Sequence, residues 1–229
     1  MGKVVTTLGL LLKLDAIKAP QRRNTAPTDN LEAFDDFLRA SGYMWRYTKD
    51  DNARARLWLQ KAIALDPNFS AAYSFMGLTY CYDTFAQLSE NPQADLRRAS
   101  ELAQKALALD DSDSDALVVL SNVDWLERRP DQAVATARQA ITLDPNYAAG
   151  YQALSVAEVT EVNPEEALHA AERAIRLDPA GRDSYEFLIG LAYNEMGATE
   201  RRSPFASGRS QYSPIFWVHT LDWFWPKPS

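Results

Sequence analysis

Four times the chain closes a block on the same refrain: A-I-A-L-D-P-N-F, A-L-A-L-D-D-S-D, A-I-T-L-D-P-N-Y and A-I-R-L-D-P-A-G. The residue after each Leu-Asp is Pro67, Asp111, Pro145 and Pro179, so the intervals are 44, 34 and 34 residues. Self-similarity at 34 residues marks a helix–turn–helix unit that buries its apolar face only by stacking on copies of itself. The feature therefore predicts an all-α array. It moves the functional question from catalysis to a binding surface built from repeats.

Within each block the second helix is the clearer one. Alanines recur in pairs seven residues apart: Ala55 and Ala62, Ala99 and Ala106, Ala133 and Ala140, Ala167 and Ala174. Seven residues make about two helical turns, so each pair shares a face and lets a neighbouring helix approach closely. Asn91-Pro92 and Asn163-Pro164 place a capping side chain before a first-turn proline, and Pro130-Asp131 opens another helix. Asp66-Pro67, Asp144-Pro145 and Asp178-Pro179 end helices, because proline disfavours a helical residue before it.

The first helices add aromatic and small residues: Tyr73, Gly77 and Tyr80, then Tyr151, then Tyr185, Gly190 and Tyr193. This order, followed by the paired alanines and the closing proline, resembles the tetratricopeptide repeat. The resemblance covers Asn30 to about Gly197 and implies a superhelix of about four repeats plus a terminal half repeat. Asp111 departs from it at the proline position, and Asp124 and Glu158 depart at the second tyrosine. The ten surplus residues between Tyr80 and Ala99 are expected to form a longer inter-helix loop.

Composition narrows the function classes. The 229 residues carry a formal net charge of −7 with no Lys/Arg-rich run, which argues against nucleic acid as a partner. Cys81 is the single cysteine, and His169 and His219 lie far apart, so no disulfide, no metal site and no cofactor is expected. Glu165-Glu166 and Asp110-Asp111 sit at a helix start and a helix end, where acids are solvated or favour the helix dipole. No phosphate loop or nucleophile motif occurs, and the chain is read as non-enzymatic and cytoplasmic.

Both ends differ from the array. No run of 18 apolar residues exists, so no transmembrane helix is expected. Val4 to Leu12 is as apolar as a short signal-peptide core, but Lys13 and Asp15 follow it without a small-residue cleavage site. Residues 1–17 read instead as an amphipathic helix, with Val4, Leu8, Leu11, Leu12 and Ile17 near one face. Residues 18–29, with two prolines and no large apolar side chain, read as a linker. After Gly197 the pattern collapses, and residues 198–229 form an irregular tail with Trp217, Trp223 and Trp225. One reading of the tail is an interface or docking motif. The other is a shifted reading frame: restoring one base after the Gly197 codon permits G-R-Y-G-E-A-I-P, an ordinary second-helix start in register.

A second resemblance combines V-V-T-T-L-G-L-L-L-K-L, N-L-E-A-F-D-D-F-L-R-A and E-L-A-Q-K-A-L-A-L-D-D-S. Together they resemble the C-terminal repeat region of bacterial class III adenylate cyclase-like proteins. That resemblance makes residues 1–17 the remnant of an upstream domain and the chain a piece of something larger. It implies a scaffold or docking role, an accessory role beside a separate cyclase chain, or the fragment of a disrupted gene. No cyclase residue is assigned here. The tetratricopeptide resemblance further implies that the first helices line a concave groove for an extended peptide or a partner helix. By register the groove residues are Trp45, Tyr82, Asn122, Trp125, Gln152 and Asn194. Trp45 and Trp125 also suit the core between repeats, since aromatic stripes on helices usually pack inward. Clamping a terminal carboxylate needs Lys or Arg on the groove helices. Between Ala71 and Asp83, Asp115 and Leu126, and Ala149 and Val162 there is neither, which points to an apolar or mildly basic ligand.

Overall fold

The computed structural model describes residues 28–196, apart from Trp45, Tyr47 and 160–162; the side chains of Asp183, Ser184 and Asn194 are likewise left out of the description. Both expected terminal segments, 1–17 and 198–229, lie outside the described residues, as does most of the expected linker. Among the described residues every regular element is helical. Four helix pairs are followed by a single helix: α1 Leu31–Met44 and α2 Lys49–Leu65, α3 Ser70–Phe85 and α4 Pro92–Leu109, α5 Ser114–Leu126 and α6 Pro130–Leu143, α7 Ala148–Val159 and α8 Pro164–Leu177, then α9 Arg182–Glu195. Consecutive first helices pack on one another, and each second helix packs between its own first helix and the next one. This is the expected architecture of four repeats and a half.

The refrain is the joint between repeats, and its aspartate makes the joint. Asp66, Asp110, Asp144 and Asp178 each follow a helix and donate a backbone N–H to the alanine carbonyl four residues back. Three of these carboxylates then turn and accept the N–H two residues ahead, from Asn68, Ser112 and Asn146 at 3.0–3.1 Å. Such an Asx turn supplies locally what the ended helix no longer provides. Asp111 stands in place of proline in the second joint, yet that turn has the same bonds, with Ser112 Oγ also donating to Asp110 Oδ1. Proline reinforces this stop without being required for it.

Helix starts follow the caps. Asn91 Oδ1 accepts the Ala94 N–H and Asn163 Oδ1 accepts the Glu166 N–H, each before a first-turn proline. The paired alanines are fully buried on α2, α4, α6 and α8. The first helices answer them with a small residue. A Cβ added at Gly77 would sit 3.3 Å from the Ala99 carbonyl and 3.0 Å from Val119. In the next two repeats that place holds serine. Ser121 Oγ donates to the Ala133 carbonyl at 2.9 Å and Ser155 Oγ to the Ala167 carbonyl at 2.8 Å. The helices thus meet either with no side chain between them or through a hydroxyl whose hydrogen bond is satisfied.

The ten-residue surplus is not a ten-residue loop. Helices α3 and α4 run to 16 and 18 residues, whereas α5 and α6 have 13 and 14. The connection 86–91 is only six residues long, against three at 127–129. Most of the surplus extends the helices, because Asp83, Thr84 and Phe85 continue α3 and Asn91 caps α4 a turn early. Helix α3 then closes through Gln87 at φ 56°, as α5 closes through Arg128 at φ 62°. A side chain in that left-handed region costs about 1 kcal/mol that glycine avoids. Gln87→Gly is therefore expected to raise stability by about 0.5–1 kcal/mol in denaturant titration. An unchanged or lower midpoint refutes this account of the turn.

Candidate functional site: the inner face of the first helices

Counting from each refrain aspartate, positions 5, 8, 12 and 16 follow one stripe of a first helix, since steps of three and four residues return to the same face. On α3 this stripe holds Ala71, Ser74, Leu78 and Tyr82; on α5, Asp115, Val118, Asn122 and Leu126; on α7, Ala149, Gln152 and Val156. The opposite face of α5 turns to its own second helix, through the Ser121 bond to Ala133 and the Thr136 hydroxyl against Asp124. Of this stripe, Ala71, Ser74, Asp115 and Val118 are buried in the stack, and Leu78, Leu126 and Val156 also pack against its core. Leu78, Tyr82, Asn122, Leu126, Ala149, Gln152 and Val156 are all half-buried there.

The six expected groove residues divide accordingly. Tyr82, Asn122 and Gln152 lie in the stripe on successive first helices. Asn194 occupies the same register position on α9, but its side chain is outside the description, and Trp45 is outside it altogether. Trp125 is one residue off the stripe. It is only 6% exposed and packs in the core with Leu117, Val134 and Ala153, its ring 5.8 Å from that of Phe85. It takes the alternative place, inside the stack, and offers a ligand almost no surface. Sequence reading missed Leu78, Leu126 and Val156, which supply the apolar part of the stripe. Their signal was present as apolar residues at positions 12 and 16 of the register.

Helices α3, α5 and α7 carry no Lys or Arg, only the acids Asp83, Asp115, Asp124 and Glu158. Each of these acids is engaged within the scaffold. Asp83 accepts from Arg56 at 2.7 Å and from Asn52 at 2.8 Å. Asp124 accepts from Arg129 at 2.6 Å. Glu158, buried on α7, accepts from Arg138 at 3.0 Å, and burial pushes its carboxyl above the usual range against the pull of that guanidinium. Asp115 accepts the Tyr147 hydroxyl, a phenol pushed well up by burial and by that carboxylate. Beside it Asp113 caps α5 by accepting the Ala116 N–H and also accepts Ser74 Oγ; burial raises it. Asp83, Asp115 and Glu158 tie neighbouring repeats together and Asp124 ties the α5–α6 turn, and the half-buried part of the stripe is apolar with amides and a phenol.

Other chemistry is sparse. No group of three His, Cys, Asp or Glu side chains among the described residues is placed to hold a metal. None of the described helices is long and apolar enough to cross a membrane. His169 is exposed on α8, and the Cys81 thiol is buried and pushed up to about 12 by that burial.

No family model and no curated protein matches the chain. Solved structures do. TTC0263, a thermophilic TPR protein in Thermus thermophilus, shares 17% identity over 86% of this chain and 95% of its own, with a TM-score of 0.57. PilF of Pseudomonas aeruginosa shares 18% over 86% and 93%, with a TM-score of 0.56. The Thermobaculum terrenum O-GlcNAc transferase, as its K341M mutant, shares 18% over 67% of this chain and 27% of that one, at 0.50. At such identities the likeness is one of fold: the array is a tetratricopeptide superhelix.

Proposed function

From the tetratricopeptide superhelix, we propose that this chain is a non-catalytic protein-interaction module whose inner stripe holds an apolar peptide segment. The observation that carries this is the row of Leu78, Leu126 and Val156 interleaved with Tyr82, Asn122 and Gln152, with no cation on α3, α5 or α7. The apolar side chains gain by covering one face of a peptide, and the amides and the phenol pair with its backbone, which would otherwise be buried unbonded. A ligand recognised through its terminal carboxylate fits poorly, because no guanidinium or ammonium on these helices faces it. With the acids already paired, net basicity in the ligand adds little, so an apolar segment is favoured over a strongly basic one.

A displayed random-peptide library selected on the full chain is expected to enrich apolar-rich sequences that bind equally well with an amidated C-terminus. The triple variant Tyr82→Ala, Asn122→Ala, Gln152→Ala is expected to weaken the selected peptides more than tenfold by calorimetry, with helical circular dichroism unchanged. Peptides that bind wild type and triple variant alike refute the assignment. We further propose, from the segments that resemble class III adenylate cyclase-like proteins, that this module is a cytoplasmic docking region of such a system. Co-purification with a class III catalytic chain encoded beside it tests that context, and its failure leaves the groove itself untouched.

A further inference from the structure

The second refrain departs from the others. Where they read proline and then, two residues on, an aromatic or glycine, A-L-A-L-D-D-S-D carries an acid at both places and another beyond: Asp111, Asp113 and Asp115. At the register place of Asp113 the other joints hold Phe69, Tyr147 and Gly181, and at that of Asp115 they hold Ala71, Ala149 and Asp183. The first joint is plugged by a buried apolar ring, the second by two buried carboxyl groups.

Both carboxyl groups cross a repeat boundary. Asp113 Oδ1 accepts the Ala116 N–H of its own helix at 3.0 Å, and Oδ2 accepts Ser74 Oγ of α3 at 3.0 Å, with Ser70 as a second hydroxyl on that side. Asp115 accepts the Tyr147 hydroxyl from the start of α7. Two other buried acids are matched by guanidinium groups, Asp83 by Arg56 and Glu158 by Arg138. Asp113 has no such ion pair among the described residues; hydroxyls and further acids face it instead. Helix α3 brings Ser70 and Ser74, the end of α4 brings Asp110 with exposed Asp111 beside it, and its own helix brings Asp115. The joint to α7 brings Tyr147, whose phenol feels Asp113, Asp115 and also Tyr185 of α9. The one cation of α6, Arg138, pairs with Glu158, and the last cation of α4, Lys105, is exposed. Burial outweighs the three donors, so the Asp113 carboxyl is held above the usual aspartate range.

We propose that this joint is a proton-sensitive hinge: a proton on Asp113 Oδ2 closes α3 onto α5, and its loss loosens them. The proton belongs on Oδ2 because Oδ1 is held as an acceptor by the Ala116 N–H. Ser74 Oγ can donate or accept, so the bond across the joint persists with its direction reversed. Ionised, the same carboxyl is a buried charge without a cation, and parting the helices gives it water. Folding raises this carboxyl, so its contribution to stability is fully present below the unfolded value of about 3.9 and is lost as pH rises through the folded one.

Urea titration of the full chain from about pH 4 to about pH 7 tests it, with Asp113→Asn as the neutral reference, since asparagine keeps the cap. The folding equilibrium constant of wild type relative to Asp113→Asn is expected to fall at least threefold across that range. Ser74→Ala takes a donor from the ionised oxygen, so its own fall, measured against the double variant, is expected to be at least twofold deeper. Hydrogen exchange at neutral pH localises the effect: Asp113→Asn is expected to slow exchange at the start of α5 at least threefold and to leave α9 unchanged. A ratio that stays level or rises with pH overturns the proposal, as does a Ser74→Ala profile parallel to that of wild type, or exchange slowed evenly along the array. Carbon NMR of the wild-type carboxyl groups reads the same group without a substitution. Asp113 is expected to titrate above the ordinary aspartate value of about 3.9, and titration at or below it overturns the hinge.

Discussion

Replacing Phe69 by alanine is expected to cost about 3–5 kcal/mol and to lower the thermal midpoint by about 10 °C. Phe69 is the last residue of the first refrain and precedes α3, with its N–H donating to the Asp66 carbonyl. Its ring is 0% exposed. It stands 5.1 Å from the Phe37 ring, which in turn meets Phe75 edge-on at 4.7 Å. Phe69 is thus the wedge where α1, α2 and α3 meet. The same place in later joints holds Asp113, Tyr147 and Gly181, so no other joint rests on a purely apolar side chain there. Because stability in a stacked array is a sum of units and neighbour contacts, the loss should be local. Hydrogen exchange should lose protection over residues 31–85 and keep it over 114–177. A loss below 1 kcal/mol, or protection falling evenly along the array, contradicts this placement.

The joints were legible because they depend on local chemistry. A carboxylate two residues before a free N–H, an asparagine before Pro92 or Pro164 and an alanine every seventh residue each act within a few residues of their own position. Helix ends therefore fell where the refrain placed them, and Tyr82, Asn122 and Gln152 fell on one stripe. The remainder depended on rotation and on partners distant in sequence. Trp125 stands one residue from the stripe, and one residue turns a helix by 100°, enough to move an aromatic from groove to core. The surplus before α4 read as a loop because the polar residues among it, Asp83 and Thr84 on α3 and Gln93 and Asp95 on α4, suit a loop as well as a helical turn. Glu158 read as a lost tyrosine, whereas its carboxylate crosses the joint to Arg138 on the preceding helix. Asp83 does the same to Arg56. These pairs are 20 and 27 residues apart, separations to which a 34-residue period does not point.

Asp83→Ala is expected to cost about 3 kcal/mol, more than any exposed ion pair would lose. Asp83 is buried on α3 and receives both Asn52 Nδ2 at 2.8 Å and Arg56 Nη1 at 2.7 Å from α2. Asn52 also donates to the Thr79 carbonyl at 2.8 Å, and the Arg56 guanidinium lies 4.9 Å over the Tyr80 ring. Truncating the carboxylate leaves a guanidinium that is largely buried and an amide N–H with one bond fewer, and those stranded groups carry most of the cost. The substituted side chain contributes little of it. Two further variants separate the causes. Asp83→Asn keeps an acceptor and is expected to lose about half as much. Asp83→Leu combined with Arg56→Met removes both charges and is expected to recover most of the loss, since a buried pair is often no better than well-packed apolar side chains. If the double variant instead loses the sum of its single substitutions, the two residues act independently, and the joint between the first two repeats is held by packing alone.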